Sequence, residues 1–262
     1  MNIFYITLLL LFSIGLGGCD SSRNATPESN NVKASTKAPE IKEVGNNTTD
    51  IKENTKNNDV QKISDKEYTQ GKHYKLVDNY TPIDSSNSKI KVEEFFWYGC
   101  SHCYSLELPI KKWLNTTKAK NIDFIRIPAA LGGAWDWHAH YYYTSKYLNI
   151  LDKSHHQMFD AIHIHKGKGV RCSGLKKCGN TYAKFINSRH PEVSVEKFSK
   201  LFHSFGVLNQ INKSKQLAKT YKITGVPSFV INGKYITDVK MAGSVSNLFA
   251  IIEMLVAQEI NS

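Results

Sequence analysis

The segment that most restricts the fold is a strand running directly into a pair of cysteines. Lys89 to Tyr98, KIKVEEFFWY, clusters β-branched and aromatic residues as a buried strand does. Cys100-Ser101-His102-Cys103 follows at once. Ser101 to Thr116 then has helical spacing, with Tyr104, Leu108 and Trp113-Leu114 recurring at three- and four-residue steps. Cys100 therefore opens a helix. Its sulfur faces backbone N–H groups that lack intrahelical partners, and the helix dipole there favours negative charge. His102 adds a donor or a positive charge nearby. Each effect lowers the thiol pKa, and the thiolate is the reactive species. One helical turn also brings Cys103 within disulfide range of Cys100. A stabilised thiolate favours the reduced pair and so makes the disulfide oxidising.

The rest of the chain sets this element in context. Asn121 to Pro128 is a short apolar strand, and the stretch from about 133 to 205 reads as helical. Asn209 to Tyr221 is one more helix. Ser228–Ile231 and Lys234–Thr237 flank Asn232-Gly233, a dipeptide that favours the positive φ angles of a tight hairpin. Val245 to Gln258 closes the chain as an apolar helix. A helix between two short strands implies a parallel pair with a right-handed crossover. The expectation is an α/β fold with a mixed sheet and an inserted helical domain. Glu93 and Glu94 point to opposite faces of their strand, so one of them should face inward. Trp135, Trp137 and Tyr141 to Tyr143 are expected to pack the insertion onto the sheet. His138, His140, His155 and His156 are expected on exposed helix faces.

VEEFFWYGCSHCYSLE, Val92 to Glu107, resembles the active-site segment of the DsbA family of thiol:disulfide oxidoreductases, and TGVPSFVINGKY, Thr224 to Tyr235, resembles that family's cis-proline loop and hairpin. The resemblance covers roughly residues 67–260. It implies a thioredoxin-like fold with a helical insertion. Cys100 matches the nucleophile, Cys103 its partner and His102 the histidine between them. Pro227 matches the cis-proline, and Val226 the residue whose backbone pairs with bound substrate. Glu94 matches a buried acid that assists proton transfer, and Glu107 a second nearby acid. Ser101 departs from the commonest residue there, proline. The family acts on reduced, unfolded exported proteins and is reoxidised by a quinone-linked membrane partner of the DsbB type. It uses no metal or organic cofactor.

Ile3 to Leu16 is a nearly continuous apolar run of about 14 residues, short for a membrane span of about 20 but long enough for a signal peptide. Leu16-Gly17-Gly18-Cys19 resembles a bacterial lipobox, which makes residues 1–18 a signal peptide and Cys19 the lipidated residue. Asp20 resembles the signal that retains some lipoproteins in the inner membrane. Residues 19–66 read as a flexible tether without aromatic residues, and 67–262 as the folded domain. The eight basic and eight acidic residues of 20–66 cancel, so the whole net charge of +11 falls on the folded domain. That favours acidic partners or an anionic membrane surface over nucleic acid, which an exported protein seldom meets. The reading is a monomeric, membrane-anchored protein facing the periplasm.

Export also permits stable disulfides. Cys172 and Cys178 bracket SGLKK, and a local disulfide is the first reading; a metal site with His163 and His165 is the second, although the spacing fits no standard zinc pattern. For the protein as a whole two other functions stand beside the oxidase: a disulfide isomerase or reductase, and a metal-delivery lipoprotein using Cys100 and Cys103 as soft ligands.

Overall fold

A computed structural model describes residues 67–78, 80, 89–116 and 119–262. The segments expected to be a signal peptide and a tether, with Cys19 between them, lie outside the described residues.

Among the described residues five strands form one mixed sheet: β1 (Lys75–Leu76), β2 (Ile90–Phe96), β3 (Ile122–Pro128), β4 (Ser228–Ile231) and β5 (Tyr235–Thr237), in the order β1-β5-β4-β2-β3. β2 and β3 are parallel, as a crossover through α1 (Ser101–Leu114) requires. β2 also pairs antiparallel with β4, and β4 with β5. The turn joining β4 to β5 carries Asn232 at φ 51° and Gly233 at φ 67°, the left-handed geometry that this dipeptide tolerates. β1 is only two residues long and pairs with β5, too short to leave a periodic trace in the sequence.

Between β3 and β4 the chain makes five helices: α2 (Ala134–Tyr147), α3 (Leu151–His163), α4 (Leu175–Asn187), α5 (Val195–Phe202) and α6 (Phe205–Thr220). After β5 come α7 (Val239–Ala242) and α8 (Val245–Ile260). One face of the sheet buries Val92, Phe229 and Ile231 against Leu106 and Ile110 of α1 and Leu248, Ile251 and Leu255 of α8. The opposite face buries Phe95, Ile127 and Val230 with Ala218 of α6.

Because β2 is central and covered on both sides, both of its adjacent glutamates are buried, not one. Glu94 is 0% exposed and Glu93 5%. Glu93 lies on the α6 side, where burial holds its carboxyl above the usual range and Tyr221 is its hydrogen-bonding neighbour.

The insertion corrects the expectation for the histidines. α2 packs against α3, α4, α5 and α6, and every residue from Ala139 to Ser145 is buried. Over those seven residues a helix surrounded in this way has no solvent face to give its polar residues; Lys146 and Tyr147 at its end are exposed. His140 is buried with Nδ1 2.7 Å from the carbonyl oxygen of Phe202. His138 packs against Trp97 and Tyr98, and burial lowers its pKa to about 4. His155 of α3 is also buried; only His156 keeps a substantial exposed surface. The aromatic residues do join the insertion to the sheet segment: Tyr142 packs on Phe96, Tyr141 on Tyr98, and Trp135 stacks on Trp97 at 4.3 Å.

Cys172 and Cys178 are bonded, with Cα atoms 5.1 Å apart, and tie the loop after α3 to α4. Among the described residues no cluster of His, Cys, Asp and Glu has the makings of a metal site, and His163 Nε2 donates instead to the Tyr98 carbonyl oxygen, 2.8 Å away. Removing the bond with Cys172→Ser and Cys178→Ser should lower stability by about 2 kcal/mol, the loop-closure entropy of so short a ring, and leave thiol oxidation intact. Paired urea melts and activity assays check this. Zinc bound at one per chain in the native protein would contradict the disulfide.

Candidate active site

The site forms where β2 ends. Trp97 to Gly99 carries the chain from the strand to the helix, and Cys100 is the N-cap residue of α1, with extended backbone at φ −87° and ψ 116°. Glycine at position 99 is a steric necessity: a Cβ there would stand 2.4 Å from the Trp97 ring.

The Cys100 sulfur accepts the Cys103 backbone N–H at 3.3 Å. As a thiol it donates to the Val226 carbonyl oxygen at 3.5 Å, across from the helix end. The Val226–Pro227 bond is cis. Cys100 and Cys103 are free thiols, the first partly exposed and the second buried. The Cys100 pKa is lowered from 9.0 to about 6. The hydrogen bond from Cys103 is the chief cause, with the N–H groups of Cys103 and His102 and the His102 charge adding to it, while burial opposes. Burial and the adjacent Cys100 push the Cys103 thiol far up. The pair is thus split into one sulfur that ionises readily and one that holds its proton.

Beneath it lies a buried charged cluster that sequence reasoning only partly anticipated. Glu94 and Glu107 share one cation: Arg126 of β3 places Nε 3.3 Å from Glu94 Oε2 and Nη2 3.2 Å from Glu107 Oε2. Burial raises Glu94 to about 8, and neither of its carboxyl oxygens has an aligned hydrogen bond. Glu107 is held below its ordinary value, although burial opposes this, by His155, Arg126 and His156. One cation therefore neutralises one anion, Glu107, and Glu94 keeps a proton at neutral pH. His155 continues the cluster, with Nε2 3.2 Å from Glu107 and Nδ1 2.8 Å from the Tyr98 hydroxyl. Arg126, His155 and Tyr98 were not foreseen. The only trace of Arg126 is a single charge inside an apolar strand, IDFIRIP.

A dithiol so divided can cycle between thiols and disulfide. On this fold, that places the protein among the thioredoxin-like thiol:disulfide oxidoreductases. The chain belongs to the DsbA family of thiol:disulfide interchange proteins. It is 34% identical over 193 residues to DsbA of Pseudomonas aeruginosa, spanning 74% of this chain and 86% of that one. To DsbA of Pseudomonas syringae pv. tomato it is 36% identical over 189 residues, spanning 72% and 83%. A crystal structure of a point variant of the Pseudomonas aeruginosa protein superposes with a TM-score of 0.67 at 34% identity, over 75% of this chain and all of that one. DsbA from Xylella fastidiosa gives 0.63 at 26% identity, over 72% and 96%. No protein-family model matches the sequence. The protein is a protein disulfide oxidoreductase, and its mixed sheet with helical insertion is the fold of these structures.

Proposed function

We propose that this protein is a periplasm-facing thiol oxidase that hands its Cys100–Cys103 disulfide to reduced exported proteins. The observation that carries this reading is the Cys100 sulfur at the start of α1, accepting the Cys103 N–H and ionising near pH 6. Stabilising the thiolate stabilises the reduced pair, so the oxidised protein gives up its disulfide readily. A reductase needs the opposite poise.

The reaction runs in two exchanges. A substrate thiolate attacks the Cys100 sulfur; the bond to Cys103 breaks and a mixed disulfide forms. Cys103 leaves and takes up a proton, which Glu94 is placed to supply because burial keeps it protonated at neutral pH. A second substrate thiolate then attacks the substrate sulfur of the mixed disulfide. Cys100 leaves as a thiolate, the substrate has lost two electrons and two protons, and the pair is left reduced. His102 supports the Cys100 thiolate through its N–H and its charge. The Val226 carbonyl and Pro227 lie opposite the sulfur, where an extended substrate segment pairs with the loop. A DsbB-type membrane oxidase returns the pair to the disulfide.

The same proposal places a signal peptide at 1–18, a lipid anchor on Cys19, a tether over 19–66 and a monomeric catalytic domain over 67–262. None of the described helices is long and apolar enough to cross a membrane. Oxidised protein should restore activity to a reduced, unfolded disulfide-containing enzyme, and Cys100→Ser should reduce that rate to the uncatalysed background. Oxidation that survives the substitution refutes the mechanism.

A further inference from the structure

Beside Cys100 the surface holds a cavity of about 300 Å³. Its lining includes Gly99, the residue before Cys100, together with Trp97, Trp137 and Tyr182. Two exposed cations, Lys166 and Arg171, complete it. An adjoining hollow of about 400 Å³ shares both of them and adds Lys168. No acidic residue lines either one.

The Arg171 side chain and the backbone at Lys166 are held in place. Lys166 and Gly167 turn the chain with φ 52° and 77°, and the stem of Arg171 lies against Gly167, where a Cβ would come within 2.9 Å of it. Arg171 Nη2 donates to the Lys166 carbonyl at 2.6 Å, which uses one of five guanidinium donors. The Cys172–Cys178 bond fixes the next residue to α4. On two of the lining side chains a ring nitrogen, Trp97 Nε1 and His138 Nδ1, is buried without a hydrogen-bond partner. Both cations can only donate, so the cavity is suited to an acceptor bearing negative charge.

We propose that this cavity receives the carboxylate of an aspartate or glutamate that neighbours the attacking cysteine in the substrate polypeptide. The inference rests on the disulfide-donating reading above and names a substrate preference for it. A substrate sulfur bonded to Cys100 puts the adjoining residue next to Gly99, and the charge there complements a carboxylate.

The test uses oxidised full-length protein and three dithiol peptides that differ only beside the reacting cysteine: glutamate, glutamine or lysine. Stopped-flow rates at low salt should rank them in that order, with glutamate about fivefold faster than glutamine, the worth of one solvent-screened ion pair, and the preference should fade as salt rises. Arg171→Gln should bring the glutamate peptide down to the glutamine rate and leave oxidation of uncharged dithiothreitol unchanged; Lys166→Gln should weaken the preference in part. Equal rates for the three peptides, or a glutamate preference that survives both substitutions, overturns the inference alone. If neither the peptides nor dithiothreitol are oxidised, the disulfide-donating reading falls as well.

Discussion

Replacing Arg126 with methionine should destabilise the protein by about 3–5 kcal/mol at pH 7, because it strips a buried carboxylate of its cation. Glu107 is 4% exposed and ionised at neutral pH, with Arg126 Nη2 3.2 Å away. His155 remains beside it after the substitution, but burial keeps that imidazole below its ordinary pKa and so disfavours the charge that would compensate. Glu94 adds little to the loss, since it already holds its proton up to about 8. The pH dependence follows. In the native protein the folded-state pKa of Glu107 is depressed, so its stabilisation is present above the unfolded value near 4.5 and is lost as pH falls through the lower folded one. Without Arg126 that folded pKa rises, Glu107 protonates earlier on acidification, and the deficit of the variant shrinks toward pH 4. Arg126→Lys, which keeps the charge, should recover part of the stability. Urea melts of the three proteins at pH 7 and pH 4 measure this; a loss below about 1 kcal/mol at pH 7 would mean that Arg126 is not the cation that Glu107 depends on.

A loss of similar size, about 3–5 kcal/mol, is expected for Phe96→Ala. Phe96 is fully buried at the last position of β2, where the sheet meets the insertion. Its ring contacts Tyr98 at 5.2 Å, Tyr142 of α2 at 5.4 Å, and His155 and Phe159 of α3 at 5.2 and 6.0 Å. Alanine leaves a cavity walled by four rings that are themselves held by other contacts, so collapse is limited. The damage should be local: amide hydrogen exchange should quicken in α2 and α3 before α8, which packs on another core around Val92 and Phe229. A stability loss under 1 kcal/mol, or exchange rising first in α8, would show that Phe96 does not join the two parts of the domain.

Much of this organisation was legible in the residues. β2, α1 and β3 lie where clustered β-branched residues, a helical repeat and a short apolar run placed them, and Asn232-Gly233 marked its hairpin. The position of Cys100 at a helix start followed from the same local reading. What was not legible depends on partners distant in sequence. β1 is two residues whose pairing with β5 is decided by neither segment alone. Glu93 is buried because α6 covers a face that alternation could not assign. His138, His140 and His155 were misplaced because a helix enclosed by other helices buries polar residues that look solvent-facing in a one-dimensional pattern. Arg126 gains its meaning only when the parallel register sets it opposite Glu94.

The measurement that tests the central claim most directly is the ionisation of Cys100 in the reduced protein. It can be followed by thiolate absorbance against pH and by the rate of alkylation, with Cys100→Ser as the blank. The predicted midpoint is about 6, and Cys103 should remain protonated throughout. The shift also carries a stability signature. The folded-state value lies below 9.0, so the reduced form gains stability between pH 6 and 9 and loses it as pH falls through 6; at pH 7 the gain is about 1 kcal/mol after allowing for solvent screening. A midpoint near 9, that of an unperturbed thiol, would leave the reduced pair without its stabilised anion and the protein without a reason to give up its disulfide.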